Sequence, residues 1–259
     1  MMFNQPTVTK VRRFGVILVL GMSLLSGLSA QQPVVIGGYD FPPYLNISND
    51  QPVSGITLEL IAQLNLMQDE YQFELFLTSP ARRFDDFSAG HFDMMLFENP
   101  IWGWEKVDIY STPLPLFFDD REIYIARQAL GRNQSYFNDL TQRRMAGIFS
   151  YHYAFADYVN DADWLRENFN MVLVNSQDAL VELVVQGRAD VAVVSEAYLL
   201  AAFTQNPLLR SQILVSEKID QEYQHHIIAR SAHSATAQAV HAWLQQVSQL
   251  SNPAVQVSP

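Results

Sequence analysis

Apolar positions in this chain fall into two kinds of segment, and the two kinds alternate. Some recur three and four residues apart, as on one face of a helix. Others form short unbroken runs, as in strands buried on both faces. Pro33-Val34-Val35-Ile36-Gly37 reads as an opening strand, and Tyr71 to Leu77 as a second. Between them Thr57 to about Met67 reads as a helix, with Leu60, Leu64 and Met67 on one face and Thr57 available as its cap. A further helical pattern ends at Gly90, and Asp93 then opens the run Met94-Met95-Leu96-Phe97. The same succession returns later: Ser176 caps a helix ending at Gly187, and Asp190 opens Val191-Ala192-Val193-Val194. Glycine closes helices because it accepts the left-handed conformation without a Cβ clash. Two copies of this helix-Gly-x-x-Asp-strand unit predict two similar α/β lobes.

The remaining pattern fills in the second lobe. Leu114-Pro115-Leu116-Phe117-Phe118 and Glu122-Ile123-Tyr124-Ile125-Ala126 read as extended segments leaving the first lobe. Met145 to Phe149 and Met171 to Val174 read as strands, Tyr153 to Val159 as a short helix, and Tyr223 to Ala229 as an extended return. A final helix from about Ser234 to Leu250 carries Val240, Trp243, Leu244, Val247 and Leu250 as one apolar stripe. In open α/β sheets ligands bind beyond the carboxyl ends of the strands. That rule places Glu98-Asn99 and Ser195-Glu196 on opposite walls of a cleft.

The N-terminus changes the picture. Lys10, Arg12 and Arg13 precede an apolar stretch from Phe14 to Leu25, and small residues follow through Ala30. Charged start, apolar middle and small-residue end make a secretory signal, cleaved near Ala30. The stretch is short for a membrane span, which needs about 20 residues. The segment holds three basic residues and no acidic ones, so its removal leaves the remainder more acidic than the −11 of the whole chain. An acidic exported protein is a poor partner for nucleic acid or an anionic membrane. Cysteine is absent, which excludes disulfides and thiol catalysis, and the chain is long enough to bury a core without them.

Taken in order, these features resemble the bacterial extracellular solute-binding proteins of family 3, the periplasmic amino-acid-type substrate-binding proteins. The resembling residues are the early strand followed by Pro42-Pro43-Tyr44, and Gly55 before an amphipathic helix. They continue through Ala81-Arg82 leading to Gly90-x-x-Asp93, Asp108-Ile109-Tyr110-Ser111-Thr112-Pro113-Leu114, and Gly187-x-x-Asp190. The resemblance implies an α/β, type II periplasmic-binding-protein fold: two lobes, each a mixed sheet flanked by helices, joined by two hinge crossings near Arg121–Arg127 and Tyr223–Arg230. It places residues 31–122 and 228–259 in the first lobe, with the terminal helix returning to it, and 123–227 in the second. It further implies a monomer in the periplasm, a small-molecule solute, an ABC-transporter permease or membrane receptor as partner, and no cofactor.

The ligand positions depart from the family. Its amino-acid binders carry a Thr-x-x-Arg-like segment after the first Gly-x-x-Asp strand, whose arginine grips the ligand carboxylate. Here Trp104 falls near that place, in Asn99-Pro100-Ile101-Trp102-Gly103-Trp104-Glu105-Lys106. An arginine fork pairs with a carboxylate bidentately, whereas tryptophan offers one indole N–H and a π face. The acidic residue that holds the ligand ammonium is shifted as well, since Ser195 stands there and Glu196 follows. The candidate ligand contacts are therefore an aromatic set of Tyr39, Phe41, Tyr44, Trp102 and Trp104, alongside core packing as their other use. Arg82 either replaces the missing arginine or pairs at the surface with Asp85 or Asp86. Glu98 and Glu196 either hold an amine or stay solvated. Ser150 and Tyr151 stand where the family offers backbone N–H groups to a carboxylate.

Signals for catalysis are poor. His-Glu-x-x-His, Gly-x-Ser-x-Gly and clustered metal ligands are all absent from the sequence. His225 and His226 are neighbours in an expected strand and point to opposite faces. The leading expectation is a periplasmic protein that captures a small polar or aromatic solute, without enzymatic activity. The alternatives are a periplasmic enzyme on the same scaffold, resembling cyclohexadienyl dehydratases with Glu98 or Glu196 as general base, and an interaction protein that takes no ligand.

Overall fold

The computed structural model describes residues 1–2, 30–115 and 119–251, side chains through residue 247. The expected export signal and Leu116-Phe117-Phe118 fall outside them, as does the side chain of Leu250. The chain from Gln31 onward is one compact unit. In chain order its elements are β1 (Gln32–Gly38), β2 (Asn46–Ser48), β3 (Gln51–Ser54), α1 (Ile56–Met67), β4 (Tyr71–Leu77), α2 (Arg83–Ala89), β5 (Met94–Glu98), β6 (Ile109–Pro113) and β7 (Asp119–Arg127). There follow β8 (Met145–Ile148), α3 (Ala162–Phe169), β9 (Val172–Val174), α4 (Gln177–Val185), β10 (Val191–Ser195), α5 (Glu196–Gln205), α6 (Leu209–Gln212), β11 (Ile213–Gln224), β12 (His226–Arg230) and α7 (Ser234–Ser251).

These strands make two mixed sheets of five, ordered β4-β1-β5-β12-β6 and β11-β7-β10-β8-β9. In each sheet three neighbouring strands run parallel, a fourth (β12 or β7) runs antiparallel to them, and the edge strand beyond it (β6 or β11) is antiparallel to that fourth. All five residues of β5 and all five of β10 are buried, as their unbroken apolar runs require. α7 returns to the first sheet, where Val240 and Leu244 join its core and Trp243 stands edge-on to Tyr71 and Phe73.

The two Gly-x-x-Asp units have the same physical basis. Gly90 and Gly187 take left-handed φ angles of +82° and +71° and end α2 and α4. Asp93 then accepts a hydrogen bond from the Val35 backbone N–H at 2.8 Å, and Asp190 one from the Arg144 backbone N–H at 2.9 Å. Each aspartate thus clamps the start of its strand to the neighbouring parallel strand.

Three expectations need correction. Thr57 does not cap α1: the helix begins at Ile56 from Gly55, so Thr57 lies inside it, buried, its backbone N–H given to the Tyr44 carbonyl. The segment from Tyr153 to Val159 makes only a 3-10 turn at Ala154–Ala156, because Asp157 and Tyr158 both adopt left-handed φ. The first passage between lobes precedes Asp119, since β7 belongs to the second sheet along its whole length. The return passage is the single residue His225, between β11 and β12.

Candidate functional site

The strand ends that face the cleft are set by the two passages. β7 and β11 enter the second lobe side by side, in a register that pairs Asp120 with Tyr223 and Glu122 with Gln221. Cross-strand partners share a face, and side chains two apart along a strand do too. Asp120, Glu122, Gln221 and Tyr223 therefore form one polar patch on the second lobe. Opposite it lie the loop after β1, the start of α2 and the loop after β5, all in the first lobe. At the ends of β5 and β8 the backbone turns sharply, with Phe97 at φ +58° and Ser150 at +64°. Strain of this kind costs about 1–3 kcal/mol per residue and clusters at functional sites.

Between the lobes is a narrow, almost closed cavity of about 20 Å³, lined by Tyr39, Phe41, Arg83 and Trp102 from one side and Glu122, Tyr151, His152 and Gln221 from the other. Its walls are largely aromatic. Tyr39 and Phe41 stack at 6.1 Å between centroids, and Tyr151 stands edge-on to both. Trp102 stands edge-on to Phe41 and Tyr223. Its indole N–H donates to Gln221 Oε1 at 3.3 Å, and Gln221 Nε2 donates to the His152 carbonyl at 2.8 Å. Tyr44 spans the lobes beside this chain, donating to Asp120 Oδ2 at 3.0 Å. His152 presses so close to the loop of Trp102 that a Cβ on Gly103 would sit 3.0 Å from its Nε2.

The charged residues of the cavity are buried, and their partners differ. Arg83 is 2 % exposed: its terminal nitrogens donate to the carbonyls of Pro80 and Trp102, and its Nε stands 3.6 Å from Glu98 Oε2. That carboxylate oxygen also accepts from the Trp104 indole at 2.6 Å. Among the described residues no cation acts on Glu122. Burial pushes its carboxyl well above the ordinary carboxylate range, and the negative charges of Asp120 and Asp220 add to the shift. Burial, with Arg83 and Lys106 nearby, pulls His152 down to about 3, so its ring is neutral. Burial raises the hydroxyls of Tyr39 and Tyr151. Among the described residues Arg83 Nε, Glu98 Oε1 and His152 Nδ1 are buried without a hydrogen-bond partner. Such atoms are uncommon in native proteins.

The sequence-derived candidates divide into those that meet in the cavity and those that do not. Tyr39, Phe41, Trp102 and Tyr151 line it. Glu98 lies behind Arg83. Tyr44 packs on Phe97 and His225 next to the cavity. Trp104 is fully buried in the first lobe against Phe84 and Phe87. Arg82 points to solvent and pairs with Asp86 at 3.1 Å, the surface pairing the sequence left open. Ser195 is buried as the N-cap of α5, bonded to Gln177 and the Tyr198 N–H. Glu196 forms a two-point ion pair with Arg121, both contacts at 2.6 Å, in a separate acidic groove lined also by Asp119, Asp120, Glu222 and Tyr223. Ser150 is a half-buried turn residue.

Arg83, Glu122, His152 and Gln221 join the cavity without having been singled out as candidates. Two of them had a readable signal. Arg83, not Arg82, stands one helical turn before the buried Phe87. Glu122 directly precedes the apolar run Ile123 to Ala126 on the same strand. Among the described residues no group of His, Cys, Asp and Glu is placed to hold a metal ion, and no helix is long and apolar enough to cross a membrane.

No family model and no curated protein matches this sequence. Solved structures do. Holo ArgBP from T. maritima superposes with a TM-score of 0.62 at 15% identity, covering 86% of this chain and 92% of that one. A histidine kinase sensor domain with similarity to periplasmic binding proteins gives 0.64 at 19% identity, covering 85% and 92%. The GluR0 ligand-binding core from Nostoc punctiforme, in complex with L-glutamate, gives 0.61 at 15%, covering 84% and 94%. The fold is that of a type II periplasmic binding protein. At these identities the likeness speaks for architecture, and the cavity carries the case for function.

Proposed function

We propose that this protein is a periplasmic solute-binding protein that captures a small polar or aromatic solute between its lobes. It delivers that solute to an ABC importer or presents it to a membrane sensor, and it is not an enzyme. The observation that carries the reading is the cavity itself: eight residues, four from each lobe, converge on a space with aromatic walls and unpartnered polar atoms. A ligand there touches both lobes at once, so its binding energy favours the closed clamp over the open one. The kinship in fold with amino-acid ABC-transporter and sensor-kinase proteins is consistent with either destination.

The departures at the ligand positions argue against an ordinary α-amino acid. Arg83, the one arginine in the cavity, has its terminal nitrogens committed to backbone carbonyls. The enzymatic alternative loses both of its general bases. Glu98 is held by Trp104 beside Arg83, and Glu196 is held by Arg121 outside the cavity.

A thermal-shift screen of the purified protein against amino acids, amines, aromatic acids and short peptides tests the proposal. A ligand at 100 times its Kd stabilises by about 2.7 kcal/mol. Stabilisation by at least one solute, lost in a Tyr39→Ala/Tyr151→Ala double variant, is the expected result. Silence across the panel overturns it.

A further inference from the structure

Charge in the cavity is distributed unevenly between its two ends. At one end Arg83 faces Glu98, and both terminal nitrogens of the guanidinium are taken by carbonyls. A ligand carboxylate brought there meets no free fork and lies beside the negative Glu98. At the other end Glu122 is 4 % exposed, and its carboxyl accepts a long hydrogen bond from the Tyr223 hydroxyl at 3.4 Å. Asp120 is a neighbour on the same strand face, and Asp220 adds a further negative charge. Among the described residues the cations of this region act elsewhere, with Arg83 and Lys106 near His152, Arg121 on Glu196 outside the cavity and Lys218 over the Tyr124 ring. Among the described residues no positive charge acts on Glu122, and four aromatic rings line the cavity with it.

We infer that the cleft, opened from this closed form in which only about 20 Å³ is left between the lobes, takes a small amine without a carboxylate, its ammonium against Glu122 and its apolar part among Tyr39, Phe41, Trp102 and Tyr151. The inference rests on the solute-binding reading and deepens it by naming the ligand class. A carboxylate buried without a counter-charge is costly, and a cation that arrives with the ligand relieves that cost. Aromatic faces attract the same cation through their quadrupoles. Neutral His152 offers the unpartnered Nδ1 as a further polar contact. Selection against amino acids follows from the same geometry, since their carboxylate has no partner at the Arg83 end.

Isothermal titration of the full-length protein with benzylamine, benzyl alcohol, benzoate and L-phenylalanine tests the charge assignment with ligands of similar size. Benzylamine is expected to bind at least tenfold more tightly than benzyl alcohol, and benzoate and L-phenylalanine more weakly than either. Glu122→Gln is expected to bring amine and alcohol within twofold of each other while keeping the alcohol's affinity. Tighter binding of benzoate or L-phenylalanine overturns the inference and leaves solute binding standing. An amine preference that survives Glu122→Gln overturns the role of Glu122. Absence of binding by the whole benzyl series overturns the ligand class, and only silence in the wider screen as well removes the solute-binding reading.

Discussion

The indole N–H of Trp102, in the first lobe, donates to Gln221 Oε1, in the second, at 3.3 Å with both side chains buried. The amide passes the link on to the His152 carbonyl, so one hydrogen-bonded chain ties three segments across the cleft. Trp102→Phe keeps most of the ring packing and removes the donor. The Gln221 oxygen then stays buried without a partner, at a cost of about 1–3 kcal/mol. Urea unfolding should show that loss, and X-ray scattering should show a larger radius of gyration as the lobes part. An unchanged midpoint and radius would mean the link does not hold the clamp.

Arg83 and Glu98 depend on one another in the first lobe. Removing one member of a buried ion pair leaves an uncompensated charge and costs about 3–5 kcal/mol, whereas replacing both is often close to neutral. Arg83→Met alone should therefore unfold at a much lower urea concentration than the wild type. The double variant Arg83→Met/Glu98→Gln should recover most of the difference. Additive losses in the double variant would rule out the pairing as the reason for burial.

How much of this was legible beforehand depends on whether the determinant is local. The paired Gly-x-x-Asp units were readable because Gly90, Asp93, Gly187 and Asp190 each act on residues set by the strand–helix–strand rhythm. The aromatic half of the cavity was readable for a similar reason, since Tyr39, Phe41 and Trp102 sit in loops at strand ends. The polar half was not. Glu122 and Gln221 meet through a register between β7 and β11, strands far apart in sequence, and no local pattern encodes it. Arg82 and Arg83 are adjacent, and the one local mark that separates them is the place of Arg83 one helical turn before Phe87. Glu196 has its partner Arg121 across the sheet, again a matter of topology.

Asp93 and Asp190 make the same contact in different sheets, and their substitution should show the same pattern. Replacing either with alanine strands a backbone N–H, that of Val35 or of Arg144, at about 1–3 kcal/mol. Asparagine keeps an acceptor oxygen at the same place and should recover part of the loss. Differential unfolding of Asp93→Ala, Asp190→Ala and the two asparagine variants checks this. Equal stability of alanine and asparagine at both sites would show that the contact is not what selects the residue.

Two buried groups at the cleft pull the pH dependence of stability in opposite directions. His152 titrates ordinarily near 6.5 but near 3 in the folded protein, so the unfolded chain binds the proton more readily. Its contribution is complete above about 6.5 and is lost as pH falls towards 3. Glu122 has the opposite sign: its folded carboxyl lies well above its ordinary value of 4.5, so the folded protein binds the proton more readily. That contribution is complete below about 4.5 and is lost as pH rises. Between roughly 4.5 and 6.5 the two slopes oppose each other, and the wild-type profile should be flatter there than either effect alone. His152→Gln should weaken the acid loss, and Glu122→Gln should remove the decline on the neutral side and raise stability at pH 7. Urea midpoints taken from pH 3 to 8 for the three proteins separate the contributions. Parallel profiles for wild type and Glu122→Gln would mean that the carboxyl is solvated in the resting protein, and the cavity would then have no buried acid to select a cation.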